Sequence, residues 1–222
     1  MSDALLDPMS SLPKNHFHAF DGLYAQQSVA TVHEAAGRIG ALSSAVKPIW
    51  QGMRVSGPAF PVSLTPRDNL ALHEAIYQAP LGSVLVVDAF DYLEAGPFGE
   101  IMAVAAMTRG LRGLVTSGSV RDREAIGALG FAVFSKGISV KGTEKHVTAQ
   151  FPQAVSIDDV SIVPGDWVLG DADGVVIIPA NRAGEVLERA VERERKERDI
   201  LARIRAGERT LDIYHLAGSG EP

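Results

Sequence analysis

The sequence contains no cysteine, which excludes a disulfide framework, a thiolate metal centre and a cysteine nucleophile together. Its start lacks a basic stretch followed by an apolar run, and Leu12-Pro13-Lys14 interrupts it early, so nothing there reads as a secretory signal. Apolar runs such as 84–87 and 175–178 are far shorter than the roughly 20 residues a membrane-spanning helix needs. Lysine and arginine number 21 against 27 aspartates and glutamates, and the formal charge of −6 argues against a phosphate-backbone binder, which would need a basic face. Neither a P-loop, a nucleophile elbow nor a G-x-G-x-x-G occurs. None of the histidines stands at metal-ligand spacing from another, so each reads as structural. These absences lead to the expectation of a cytoplasmic protein with neither a nucleic-acid nor a membrane partner.

What is present suits a well-cored globular chain: 222 residues, 46% hydrophobic and 22% charged. Residues 1–18 read as a flexible leader, 19–180 as an α/β domain and 181–216 as a C-terminal helical arm. Spacing over 20–36 is broadly helical, with Thr31 and Glu34 placed as a capping box. Residues 53–64 alternate as a strand, and Asp68 or Asn69 can cap a helix from Leu70. Strands at 83–88, 114–116 and 132–135 then alternate with helices at 99–109 and 123–129, each ended by a glycine, and this alternation indicates a layered α/β fold. Short β runs over 155–178 are punctuated by Pro164-Gly165-Asp166 and Asp171-Ala172-Asp173-Gly174. A long helix over 183–204 closes the pattern, with eight consecutive charged residues, 192–199, between two apolar ends. On spacing alone that run is a solvated face or arm.

Two segments could carry chemistry. In the first, a strand feeds Ser117-Gly118-Ser119, read as a turn, and Arg121-Asp122 stand where the next helix begins. An aspartate there could hold a hard divalent cation and the arginine could fork onto a carboxylate or enolate oxygen. The plainer reading is a helix-capping Asp122 and a surface ion pair for Arg121. In the second, Gly96-Pro97-Phe98-Gly99 precedes a helix whose first amides could cradle an anion, unless Glu100 is there merely to suit the helix dipole.

Gly99-Glu100, Ala103, Ala106, Arg109-Gly110, Gly113-Leu114-Val115, Gly118 and Val120-Arg121-Asp122 together resemble the family of 4-hydroxy-4-methyl-2-oxoglutarate / 4-carboxy-4-hydroxy-2-oxoadipate aldolases. That family includes the regulators of ribonuclease activity once misnamed as menaquinone methyltransferases. The likeness extends to Val29-Ala30-Thr31-Val32-His33-Glu34-Ala35, Asp68-Asn69, Gly165-Asp166, Asp171 to Val175 and Leu211-Asp212-Ile213-Tyr214, covering nearly all of 20–216. It implies a layered αββα sandwich like the swivelling phosphohistidine domain, assembled as trimers or hexamers with sites between subunits. It implies Asp122 as the metal-binding carboxylate, Arg121 as the contact to the pyruvyl group, and Glu100 as the residue orienting metal-bound water. Gly99 and the amides of Ile101 and Met102 would receive the substrate carboxylate, and Glu197 would reach into a neighbour's site. The activity implied is a Mg²⁺- or Mn²⁺-dependent lyase releasing pyruvate from a carboxylated 4-hydroxy-2-oxo acid, with oxaloacetate decarboxylation as a side reaction. Two positions depart from the pattern: Ser117 stands where many of these aldolases carry Asp, and Glu100 where they carry Asp. The regulator branch, a non-catalytic protein-binding alternative, shares the Arg-Asp core but typically lacks the long C-terminal helix, so residues 192–199 and the Leu211-Asp212-Ile213-Tyr214 ending favour the enzyme.

Overall fold

A computed structural model describes residues 22–216; the expected leader at 1–18 lies outside them. The chain order is α1 (Val29–Ala35), β1 (Lys47–Pro48), β2 (Val55–Ser63), α2 (Leu70–Gln78), β3 (Val84–Asp88), α3 (Glu100–Thr108), β4 (Gly113–Val120), α4 (Arg123–Leu129) and β5 (Ala132–Ile138). There follow β6 (Val155–Ile157), β7 (Val160–Ile162), β8 (Trp167–Asp171), β9 (Gly174–Ile178), a 3₁₀ turn (Ala180–Arg182), α5 (Ala183–Arg205) and α6 (Thr210–Ile213).

Seven strands form one mixed sheet in the order β1-β5-β4-β3-β2-β8-β9, and β6 and β7 form a separate two-stranded ribbon. Strands β2 to β5 are parallel neighbours linked through α2, α3 and α4, while β1, β8 and β9 are antiparallel additions. The two edges approach each other: Ala41 bridges Val176, the Leu42 amide donates to the Val175 carbonyl at 3.0 Å, and Lys47 Nζ reaches the Asp173 carbonyl at 2.5 Å. The sheet is therefore nearly closed into a barrel, which leaves little unpaired edge to aggregate. Strand β2 makes this curl possible. Its first half, Val55–Pro58, pairs with β8 and its second half, Ala59–Ser63, pairs with β3. Each half keeps one unpaired side, where Pro58 and Pro61 can face without removing a ladder bond.

Two cores hold the fold. One lies between the parallel strands, α2–α4 and the ribbon, with Val86, Leu114, Phe134, Ile126 and Ile157 fully buried. The other joins α1 and the first turns of α5 to β8 and β9 through Tyr24, Val32, Trp167, Ile178, Val186 and Ala190. Tyr24 stacks on Trp167 at 5.7 Å and its hydroxyl donates to the Ala183 carbonyl at 2.5 Å, and burial pushes its pKa up.

Several local expectations are corrected. The 117–119 segment is not a turn: β4 continues through all eight residues of Gly113–Val120, every one buried. Thr31 does not cap a helix; Ser28 does, its side chain accepting from the Thr31 amide at 3.1 Å, so α1 starts earlier than a Thr31 cap implies. Of the two candidate caps before α2, Asp68 accepts from the Leu70 amide at 3.0 Å, whereas Asn69 makes no side-chain cap. The charge run on α5 is not wholly solvated, because Gln27 donates to Glu194 at 3.3 Å and Thr31 to Glu197 at 3.4 Å.

Candidate active site

Strand β4 carries Arg121-Asp122 to the C-terminal ends of the parallel strands, where ligands commonly meet open α/β sheets. The loop from β3 to α3 is tied across β4 before it reaches them. Ser117 Oγ accepts from the Ala89 amide at 2.8 Å and donates to Asp88 Oδ1 at 3.2 Å, and Ser119 Oγ donates to the Leu93 carbonyl at 2.9 Å. A Cβ on Gly118 would lie 2.7 Å from the Ala89 side chain, so the small residues of β4 let this loop come close. Further on, the Gly96 amide donates to the Lys141 carbonyl and the Arg121 amide to the Phe98 carbonyl, both at 2.9 Å.

These ties bring the two candidate segments together. Asp122 has φ 56° and ψ 38°, a left-handed conformation tolerated by aspartate more readily than by most residues, and its side chain does not cap α4. Instead Oδ2 accepts from the Glu100 amide at 3.0 Å, at the start of α3. Arg121 Nε lies 3.6 Å from the same oxygen, with the two side chains 43% and 42% exposed. An ion pair this exposed contributes little to stability. A strained backbone and a surface pair together are therefore poorly explained by folding alone. Gly99 makes the arrangement possible: a Cβ there would sit 2.4 Å from Asp122 Oδ2 and 3.0 Å from Arg121 Nε.

Beside the pair opens a cleft of about 180 Å³ lined by Asn69, His73, Gly99, Met102, Arg121 and Lys145 among others. The amides of Ile101 and Met102 belong to the first turn of α3, where no helical carbonyl can receive them. Ile101 exposes its side chain to solvent, while Met102 is buried and its sulfur receives Asn69 Nδ2 at 3.6 Å. Asn69 Nδ2 also donates to the Pro97 carbonyl at 2.8 Å, which fixes the amide's orientation and leaves its buried Oδ1 unpartnered. Burial lowers the pKa of His73, and the positive charge of Lys145 lowers it further. The loop bearing Lys145 is held to α2 by the Asn69 amide donating to the Glu144 carbonyl at 3.0 Å and by Asp68 accepting from the His146 amide at 2.6 Å. Burial disfavours the Asp68 charge, but the amides of Leu70, His146 and Val147 outweigh it and hold its pKa below the usual carboxylate range.

Of the residues expected at the site, Gly99, Glu100, Ile101, Met102, Arg121 and Asp122 converge, and Glu197 does not. Glu197 receives Thr31 Oγ1 and pairs with Arg193 at 2.8 Å, in contact with none of the others. The sequence pattern does not mark Asn69, His73 or Lys145 as site residues. Asn69 and His73, four apart on α2, share a face, but Lys145 has no local signal. A larger cleft of about 390 Å³ includes His33, Arg38, Asp159 and Asp166. Both Asp166 oxygens are occupied there, by the Val163 and Ala180 amides, so that carboxylate is structural.

Among the described residues no cluster of three or more histidines, aspartates or glutamates forms a metal cage. The donor set does fit a hard, largely hydrated cation, which is commonly held by one or two carboxylates. Asp122 offers one oxygen oriented by the Glu100 amide and packed close over Gly99, where a Cβ would meet it at 2.4 Å.

Fold and site together define a mixed α/β protein with a nearly closed sheet, a long C-terminal helix and an Arg-Asp pair at a strand end. The chain belongs to the RraA-like (Aldolase/RraA) family, whose model matches residues 29–177. A protein of Halalkalibacterium halodurans named provisionally as a 4-hydroxy-4-methyl-2-oxoglutarate aldolase is 36% identical over 165 residues, covering 74% of this chain and 77% of that protein. A Burkholderia mallei protein with the same provisional name is 30% identical, covering 70% and 95%. Among solved structures, an uncharacterized Pseudomonas syringae protein superposes with a TM-score of 0.75 at 28% identity, covering 86% and 94%. Streptomyces coelicolor RraAS2, described as an unusual member of the RNase ES inhibitor RraA family, gives 0.71 at 25% identity, covering 87% and 98%. No helix among the described residues is long and apolar enough to cross a membrane.

Proposed function

We propose that this protein is a divalent-metal-dependent lyase that cleaves a carboxylated 4-hydroxy-2-oxo acid to release pyruvate and also decarboxylates oxaloacetate. The observation that carries the reading is the Asp122 carboxylate, turned away from its helix and set beside Arg121, both packed close over Gly99. The aldolase names of two relatives support the lyase class.

Asp122 would hold Mg²⁺ or Mn²⁺, with Glu100 orienting its water, and the cation would supply Lewis acidity to the two oxygens of a 2-oxo acid. The Ile101 and Met102 amides would receive the substrate carboxylate at the positive end of α3. Arg121 would place its guanidinium against the C2 oxygen, where negative charge develops. Loss of the C4-hydroxyl proton to a base lets the C3–C4 bond break, its electrons forming the pyruvate enolate, and a proton returned to C3 completes pyruvate. Loss of a β-carboxylate as CO₂ yields the same enolate. The cationic side of the cleft, Lys145 and Arg121, suits a substrate carrying a second carboxylate.

We further propose that the chain works as a homotrimer or hexamer, with Glu197 completing a neighbour's site, and that its layers correspond to an αββα sandwich of the swivelling phosphohistidine type. A lactate-dehydrogenase-coupled assay with oxaloacetate, with and without EDTA, tests the chemistry. EDTA-sensitive pyruvate release supports it, and no release from any 2-oxo acid tried favours a non-catalytic, protein-binding regulator. The likeness to the Streptomyces RNase ES inhibitor family member is the observation favouring that second reading.

A further inference from the structure

The geometry points to Arg123 and Trp50 as a clamp that positions Asp122. Taking Asp122 as the working carboxylate rests on the function proposed above; the clamp itself rests on contacts alone. Arg123 follows Asp122 directly and opens α4. Its Nε donates to the Ile49 carbonyl at 2.5 Å, and its guanidinium carbon lies 5.7 Å from the centre of the Trp50 ring. Ile49 is anchored in turn, its amide donating to the Val133 carbonyl of β5 at 3.0 Å. The indole rests against Gly127, one turn along α4, where an added Cβ would meet ring carbons at 2.5 to 2.9 Å. Arg123 is thus fixed to the sheet from outside, and Arg121 is fixed from inside by its amide bond to the Phe98 carbonyl.

Asp122 lies between these two fixed residues. A left-handed non-glycine residue persists only where its surroundings over-determine it, and here both flanking residues are tethered. The same contacts hold the Ile49–Trp50 segment against α4, so the clamp is tested at Asp122 itself and not by overall stability. A guanidinium on an indole face, with a carbonyl taking its Nε, is directional in a way that a lysine would not reproduce. Arg123 is therefore a positioning residue acting through the backbone of Asp122, and Trp50 is its platform.

The readout is the Glu100 amide, whose hydrogen bond to Asp122 Oδ2 reports where the carboxylate lies. In the full-length protein, Arg123→Met should speed hydrogen exchange at Glu100 roughly tenfold while leaving β8 and β9 amides protected. Trp50→Phe, which keeps an aromatic face, should stay within about threefold of the wild type. Gly127→Ala, which displaces the indole without touching Arg123, should reproduce the Arg123→Met effect and serves if that variant loses protection everywhere. Mn²⁺ affinity, followed by electron paramagnetic resonance, should weaken in step. Unchanged Glu100 exchange in Arg123→Met and Gly127→Ala overturns the clamp. Faster exchange in a protein whose wild type binds no Mn²⁺ upholds the clamp and removes the metal reading instead.

Discussion

The Asp122 carboxylate accepts its hydrogen bond at 3.0 Å from the amide of Glu100, a residue 22 positions earlier and on a different helix. That bond joins the start of α3 to the start of α4, so an anion on the α3 amides and a cation on Asp122 would be neighbours. Replacing Asp122 by alanine should abolish EDTA-sensitive pyruvate release and calorimetric Mn²⁺ binding. The far-ultraviolet circular dichroism should stay as in the wild type, because the residue is exposed and its side chain does not cap α4. Undiminished Mn²⁺ binding would remove Asp122 from the ligand role.

Gly99 tests the same junction by volume. Its φ of −141° is open to any residue, so alanine brings no backbone strain there. The added Cβ would meet Asp122 Oδ2 at 2.4 Å and the Arg121 side chain at 3.0 Å. Gly99→Ala should reduce kcat by at least about tenfold, on the 1–3 kcal/mol scale of overpacking. Wild-type kcat in this variant would show that the close approach of Asp122 and Arg121 to Gly99 is not needed.

Arg121→Lys should raise the barrier by roughly 2–4 kcal/mol, the scale of a lost donor at a developing oxyanion. An ammonium keeps the charge and loses the fork. A kcat within a few-fold of wild type would make Arg121 structural.

The residues flanking this site were legible because their causes are local. Gly130 sits at φ 72°, the left-handed end that stops α4 where the glycine indicates. Ser117-Gly118-Ser119 misled for an equally local reason: small residues that usually mark a turn are here a buried stretch of strand that another loop must approach. Whether Asp122 caps or binds depends on one φ angle and on an amide distant in sequence, and spacing cannot supply either. Lys145 was invisible because it reaches the cleft through Asp68 and Glu144, in a segment without periodicity.

His73 carries a pH signature. Burial and the Lys145 charge both disfavour its protonated form, so its folded pKa lies below the ordinary value. A lowered histidine leaves the unfolded chain with more bound proton, so its contribution to stability is present above the unfolded pKa and declines as pH falls below it. Lys145→Met removes the second cause and leaves the first. The ring pKa followed by NMR titration should therefore rise part of the way back, and the acid-side loss of stability should shrink. No rise would mean that Lys145 does not face His73 in solution.

Helix α5 is anchored by Val186, Leu187 and Ala190, and the chain's contact with it reaches Glu194 and Glu197 through Gln27 and Thr31. Beyond that point Leu201, Ile204, Leu211 and Tyr214 remain between 37% and 54% exposed. Fully burying such side chains contributes on the order of 1.5–3 kcal/mol each, and their own chain leaves a good part of each uncovered. A neighbouring copy would supply it, and Ile101, Val104 and Met107 on the outer face of α3 are likewise exposed, next to Glu100. An arm docked near that face would carry Glu197 from its place beside Thr31 towards a neighbour's Arg121–Asp122 pair. Activity should then depend on assembly, and light scattering should give a trimer or a multiple of it. Mixing inactive Glu197→Ala chains with inactive Asp122→Ala chains should restore part of the activity, since some sites would combine two intact halves. Full activity in a monomer, or no rescue despite proven subunit exchange, would place Glu197 outside the site and leave the arm as a feature of its own chain.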